Sequence, residues 1–158
     1  MIILRPLRDD EQDLVLEASM GTLNWPGSRF TEEEAWADST IARYLRTIRE
    51  RGDFGIVAEA AGERIGLAWM LFLPADEPGY GFVDEGVPEF ALWVREGYRR
   101  QGLGRRLTRA TLGEARQRGL TAVSLSVEAE NPSRGLYLTE GFVPVPGGEE
   151  DGVMVKAL

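Results

Sequence analysis

The spacing of hydrophobic and polar residues predicts strands and helices in alternation along the whole chain. From Leu103 to Arg118 the apolar residues recur at intervals of three and four, which is the period of an amphipathic helix. Phe54 to Ala60 and Ile65 to Leu73 are apolar runs of strand length, separated by the short polar stretch 61–64. This arrangement is typical of a β-hairpin. The pattern therefore predicts a mixed α/β protein.

The same patterns, followed along the full sequence, predict the element order β-α-α-β-β-β-α-β-α-β-β. The remaining strands are expected at 2–7, 89–94, 121–127, 142–145 and 153–158, and the remaining helices at 8–20, 31–49 and 131–140. Thr31 with Glu34 three residues later forms a capping-box pattern. The sequence has no internal repeat, and its 158 residues suit a single domain covering 1–158.

Composition narrows the classes of function. The net charge of −8 argues against a nucleic-acid-binding protein and favours cationic small molecules or basic peptides. No apolar run approaches the roughly 20 residues of a membrane span. With no cysteine and no recognisable signal peptide, a cytoplasmic protein is expected. The lack of histidine removes histidine-based catalytic triads and the common zinc sites, so no metal is predicted.

The turn between the strand at 89–94 and the helix from Leu103 is the strongest candidate for ligand chemistry. Gly102 and Gly104 allow the backbone to turn sharply, and the free N–H groups of the following helix would point outward. Such a helix N-terminus binds phosphate, and four arginines add positive charge: Arg99, Arg100, Arg105 and Arg106.

This turn resembles the pyrophosphate-binding signature of the GCN5-related N-acetyltransferase (GNAT) family, with Arg99, Gly102 and Gly104 at the fixed positions. A second stretch is similar to another signature of that family. It comprises Asn131, a short helix that carries Tyr137, and the closing pair Gly141-Phe142. The order of elements also matches. The resemblance implies a mixed, mostly antiparallel sheet with helices on both faces, and acetyl-CoA as the co-substrate.

The resemblance further implies which residues hold the cofactor. Two strands of the family's sheet splay apart, the pantetheine arm pairs with the strand that ends at Val94, and the glycine turn holds the pyrophosphate. The cofactor-binding residues so implied are Leu92, Trp93, Val94, Arg99, Arg100, Gln101, Gly102, Leu103, Gly104, Arg105, Asn131 and Tyr137.

The implied reaction is direct attack of a primary amine on the thioester, with no enzyme nucleophile. Tyr137 is the candidate general acid for the leaving thiolate. Some relatives carry a carboxylate at the position of Ser126, and its absence here leaves the general base open between Glu89, Glu85 and a water chain.

The acceptor amine is not readable from the sequence. Trp25, Phe30, Trp36 and Tyr44 are either pocket-lining residues or core residues. The loop 74–88 combines four carboxylates with Tyr80 and Phe82, a mixture suited to an ammonium ion. It is either an acceptor-recognition loop, or a mobile solvated loop or dimer contact. A small-molecule or peptide amine is expected as the partner, and the last strands are candidate contacts for a homodimer.

Two other functions fit parts of the sequence. A non-catalytic relative could bind acyl-CoA as a sensor or interaction module. The Gly102-Leu103-Gly104 turn is also similar to a dinucleotide-binding fingerprint of an NAD-dependent oxidoreductase, although Leu107 stands in the place of the third glycine.

Overall fold

The computed structural model describes residues 1–158 and contains seven strands and four α-helices in the predicted order. The strands are β1 (Ile2–Pro6), β2 (Phe54–Ala60), β3 (Glu63–Leu71), β4 (Glu89–Val94), β5 (Ala122–Ser126), β6 (Val143–Pro144) and β7 (Val153–Ala157). The helices are α1 (Gln12–Leu23), α2 (Glu32–Ala37), α3 (Leu103–Gln117) and α4 (Ser133–Thr139). Short 3-10 turns occupy Ile41–Tyr44, Arg49–Arg51 and Glu149–Asp151.

The strands form one sheet in the order β1-β2-β3-β4-β5-β7-β6. Every neighbouring pair is antiparallel except β4 and β5, which are parallel. The β4–β5 pairing consists of the single register pair Glu89↔Ser124, whereas β3 and β4 pair along six positions. The two central strands therefore part beyond Glu89 and leave an open cleft in the middle of the sheet.

Helices cover both faces of the sheet, as predicted. On one face, α3 and Tyr137 of α4 pack on the large core, to which β2, β3, β4 and β5 contribute. On the other face, α1 buries Leu14, Val15 and Ala18 against β3 and β4. Gly66 on β3 allows α3 to come close, because a β-carbon there would lie 2.8 Å from a methyl carbon of Leu107. Burial of these two apolar layers is the main force that holds the sheet and helices together.

The predicted second helix, 31–49, is wrong in its length. The capping box at Thr31 and Glu34 is present, but α2 ends at Ala37. Asp38 has an extended backbone, and its carboxylate accepts hydrogen bonds from the N–H groups of Thr40 and Ile41. This local side-chain pairing competes with continued helix, so the chain turns and proceeds as short 3-10 segments. No helix in the structure combines the length and the apolar character needed to cross a membrane.

Candidate active site

The cleft between β4 and β5 exposes strand edges to a ligand. The N–H of Arg95 donates to the carbonyl of Ile65 on β3 at 2.8 Å. Successive residues of a strand point their backbone groups to alternate sides, so Trp93 also faces β3. Leu92 and Val94 consequently face the opposite side, where β5 has moved away. These backbone groups can pair with an extended ligand as an added strand would.

The turn from β4 to α3 is shaped to bind an anion. Gly97, Arg100 and Gly102 have positive φ angles of 96°, 63° and 77°, which coil the backbone tightly ahead of the helix. No backbone N–H group from Arg99 to Arg105 donates a hydrogen bond within the protein, and the first intrahelical bond runs from the N–H of Arg106 to Gly102. These free donors lie at the positive end of the α3 dipole, which favours phosphate oxygens.

The arginines of this turn have different surroundings. Arg99 donates from Nε to the Val94 carbonyl at 3.0 Å, which anchors the turn to the end of β4. Arg105 points toward α4, where it donates to Thr139 and forms an ion pair with Glu140. Arg100 is exposed and forms no ion pair or hydrogen bond through its side chain. Arg106 is likewise exposed and without such a partner, so Arg100 and Arg106 are the guanidinium groups of the turn that are most available to a phosphate.

Asn131 and Tyr137 follow β5 in the chain, just ahead of α4 and within it. The Asn131 side-chain oxygen accepts a hydrogen bond from the Ser133 N–H at 2.9 Å and so shapes the start of α4. Tyr137 is only 6% exposed, and its ring packs edge-on against Phe90 and Phe142. Burial raises the pKa of the Tyr137 hydroxyl above its usual range, while a side-chain interaction with Ser133 acts in the opposite direction. Tyr137 is thus a protonated hydroxyl at neutral pH.

Glu89 is a buried carboxyl at the point where β4 and β5 begin to separate. It is 5% exposed, and it accepts hydrogen bonds from the Tyr44 hydroxyl at 2.5 Å and from the Gly81 N–H at 3.2 Å. Burial raises its pKa to about 7, although both hydrogen bonds favour the charged form and act against that change. Such a pKa is suited to exchange of a proton at neutral pH.

The loop 74–88 lies directly over Glu89. A β-carbon at Gly79 would lie 2.5 Å from a Glu89 carboxyl oxygen, and one at Gly81 would lie 2.7 Å from the Leu125 carbonyl carbon of β5. Arg43 holds the loop from the side through the Pro78 carbonyl at 2.5 Å. The loop thus packs against both central strands, which a connection of this length does not require.

The other residues named from the sequence are more dispersed. Glu85 accepts the Ala75 N–H at 3.1 Å within its own loop, and Ser126 donates to the Asp151 carbonyl. Trp25 and Arg29 reach Glu128 just beyond the end of β5. Trp36 is 46% exposed, so it is not a core residue.

The sequence does not predict the contacts that Tyr44 makes. The sequence indicates only a pocket-lining or core aromatic, yet Tyr44 hydrogen-bonds both Glu89 and the N–H of Tyr80. It lies 45 positions from Glu89 in the sequence. No local pattern relates the two, because the contact arises from how the 3-10 turn packs on the sheet.

Known proteins resemble this chain in sequence and in fold. The model of the acetyltransferase (GNAT) family matches residues 18–142, most of the chain. A mycothiol acetyltransferase from Beutenbergia cavernae is 29% identical over 134 residues. That match covers 84% of this chain but 38% of the relative, so the chain spans well under half of that protein.

Solved structures share the fold. The PaiA N-acetyltransferase from Thermoplasma acidophilum, in complex with coenzyme A, superposes with a TM-score of 0.72 at 17% identity, over 100% of this chain and 99% of that one. YncA from Salmonella typhimurium, with its cofactor acetyl-CoA, gives 0.65 at 21% identity, over 90% and 80%. The dinucleotide-fold alternative is set aside, because the glycine turn follows the fourth strand of a mostly antiparallel sheet. The chain belongs to the acetyltransferase (GNAT) family.

Proposed function

We propose that this protein transfers the acetyl group of acetyl-CoA to a primary amine, with the cofactor in the β4–β5 cleft. The observation that carries the proposal is the set of free backbone N–H groups from Arg99 to Arg105 beside the unpaired edge of β4. The turn would hold the pyrophosphate, the backbone of Leu92 and Val94 would pair with the pantetheine arm, and Asn131 would also contact the cofactor. Trp93, also implied by the resemblance, would not contact the cofactor, because its backbone groups face β3 and its side chain is buried in the core on the α1 face.

The chemistry follows from the protonation states in the cleft. Acetyl-CoA supplies an activated thioester. Glu89, with a pKa of about 7, accepts a proton from the acceptor amine so that the neutral nitrogen can attack. A free backbone N–H group on this edge of β4, at Leu92 or Val94, stabilises the developing oxyanion. Tyr137 donates its proton to the departing sulfur. The new C–N bond replaces the C–S bond, and an amide and a free thiol are the products.

Among the three candidates for the base, Glu89 has the strongest support. It is a buried carboxyl whose pKa lies near neutrality, whereas Glu85 is exposed and engaged within its own loop. In the present conformation the segment 79–81 covers Glu89. The proton therefore passes either through water or after that segment has moved aside.

The surroundings of Tyr80 favour a cationic acceptor. Tyr80 is 41% exposed and its ring stacks on Tyr44, which leaves its outer face available. Nearby Asp38 and Asp151 contribute, after burial, to raising the pKa of the Tyr80 hydroxyl. The negative charges of Asp38 and Asp151 therefore act on Tyr80 although both residues are distant from it in the sequence. An ammonium group is the ligand that an aromatic ring with such negative charges attracts.

The test is release of free thiol from acetyl-CoA with paired amines, for example 1,4-diaminobutane against n-butylamine. We expect a kcat/KM at least tenfold higher for the diamine, with an advantage that shrinks as salt is added. Equal rates would contradict a cationic acceptor. If no amine released thiol although acetyl-CoA bound tightly, the non-catalytic acyl-CoA-binding alternative would replace the enzyme.

A further inference from the structure

The segment Gly79-Tyr80-Gly81 contacts the candidate base from above, and Tyr44 lies between the two. The Tyr44 hydroxyl donates its one proton to Glu89 Oε2 at 2.5 Å and accepts the Tyr80 N–H at 2.7 Å. The Gly81 N–H donates to the other carboxyl oxygen, Oε1. The base and the loop therefore share one hydrogen-bonded cluster in which the Tyr44 hydroxyl uses both its donor and an acceptor site.

Tyr44 is itself held firmly. Its carbonyl accepts the Ser19 hydroxyl of α1 at 2.8 Å, and its ring stacks on that of Tyr80 with centroids 6.2 Å apart and planes 6° from parallel. Burial and the neighbouring Glu89 charge raise the pKa of the Tyr44 hydroxyl far above its usual range, so it is always a donor. The hydrogen bond between the two side chains therefore always runs from the Tyr44 hydroxyl, as donor, to the Glu89 carboxylate, as acceptor.

The remaining neighbours of Glu89 are neutral. Gly81 approaches from the loop, and Ser124 is its register partner on β5, with a buried hydroxyl that has no hydrogen-bond partner. Tyr44 is the titratable side chain in contact with the carboxyl. A change in the titration of Glu89 after loss of the Tyr44 hydroxyl therefore comes from the lost hydrogen bond and from the altered cover of the carboxyl, and not from another charged group.

We propose that Tyr44 is a positioning residue, whose hydroxyl orients the Glu89 carboxylate and fastens the segment 79–81 over it. The acceptor must displace this segment to reach Glu89, so docking of the acceptor and exposure of the base are one event. This inference rests on the proposed role of Glu89 as the general base.

The test compares Tyr44→Phe with the matched control Tyr80→Phe, which removes a phenolic hydroxyl from the stacked partner but leaves its N–H in place. Glutamate labelled with ¹³C at the carboxyl carbon reports the titration of Glu89, assigned by its loss in Glu89→Gln. In Tyr44→Phe we expect the pKa of Glu89 to differ from the wild-type value: loss of the hydrogen bond raises it, whereas loosening of the segment 79–81 lowers it by exposing the carboxyl. We also expect the Tyr80 amide to exchange with solvent about tenfold faster. The control keeps the wild-type pKa of Glu89.

A folded Tyr44→Phe protein with the wild-type titration of Glu89 and the wild-type exchange of the Tyr80 amide would overturn the inference. A separate variant, Glu89→Gln, tests the proposed function. If Glu89→Gln retains acetyl transfer with an unchanged pH profile, Glu89 is not the base, whatever the labelled carboxyl reports about Tyr44.

Discussion

At the scale of single residues, Glu89 is the side chain whose environment most strongly indicates a chemical role. A carboxyl that is almost wholly buried pays a desolvation cost when it ionises, and here two hydrogen bonds offset part of that cost. The resulting pKa of about 7 leaves the group balanced between its two forms at neutral pH. A purely structural carboxylate gains nothing from such a balance, whereas a general base needs it.

The pH dependence of turnover follows from this value. We expect kcat/KM to rise with pH through about 7, as Glu89 loses its proton, until the acceptor itself limits the rate. Glu89→Gln should lower kcat by roughly 10²–10⁴-fold and remove this limb, since an amide cannot accept the proton. Steady-state rates across the pH range provide the measurement. Acetyl-CoA affinity serves as the control, and a large loss of it in Glu89→Gln would indicate a binding role instead.

At the scale of elements, the turn ahead of α3 depends on backbone conformation as much as on charge. Gly102 has a φ of 77° and precedes the first helical residue, whereas Gly104 lies inside the helix with ordinary helical φ. A β-carbon at Gly104 would contact Leu136 at 3.4 Å, which is normal packing. The two glycines therefore have different roles, although the signature treats both as fixed positions.

Alanine at each glycine separates these roles. Gly102→Ala should lower the free energy of unfolding by about 1 kcal/mol, because a β-carbon is unfavourable at positive φ, and it should weaken acetyl-CoA binding by distorting the turn. Gly104→Ala should leave stability unchanged or raise it by up to about 1 kcal/mol, since alanine favours helix over glycine. Urea unfolding and calorimetry measure both. Equal losses in the two variants would contradict this distinction.

Sequence patterns predicted some elements much better than others. β4 was predicted with the bounds it has, and α3 to within one residue, because a strong apolar period and flanking glycines mark them. The second helix was overextended, because the pairing of Asp38 with the next turn depends on a side-chain geometry that composition does not specify. The contact of Tyr44 with Glu89 was missed because it depends on tertiary packing. The cofactor-binding residues remain predictions from the two motifs.

At the scale of the whole molecule, a network of charges joins the first strand and helix to the rest of the sheet. Arg5 on β1 contacts both Glu11, at 2.8 Å, and Glu59 on β2, at 2.7 Å, and Arg64 on β3 also approaches Glu11. The Arg5 hydrogen bond is the main cause that lowers the pKa of Glu11 to about 2. The network ties the start of α1 to the sheet, and Ser19 of the same helix donates to the Tyr44 carbonyl.

Removing the Glu11 charge should therefore destabilise the fold. Glu11→Gln is expected to cost about 3 kcal/mol at pH 7, as it leaves Arg5 partly buried without its main partner. Because the folded-state pKa is lowered, the contribution of Glu11 is present above its ordinary value of 4.5 and is lost as the pH falls toward 2. Urea unfolding at pH 7 and pH 3 measures the difference, which should shrink at pH 3. Asp10→Asn, an exposed neighbour, is the control, and an equal loss there would refute the role given to this network.

The proposed function depends above all on acetyl-CoA binding at the glycine turn, and calorimetric titration of the purified protein measures that binding. We predict micromolar binding, roughly −8 kcal/mol, of acetyl-CoA to the wild type and no comparable binding of NAD. Arg100→Glu, at the turn, should bind at least tenfold more weakly. Arg116→Glu makes the same charge change at the far end of α3 and should bind as the wild type does. A folded wild type that does not bind acetyl-CoA, or equal binding by both variants, would contradict the assignment of the turn.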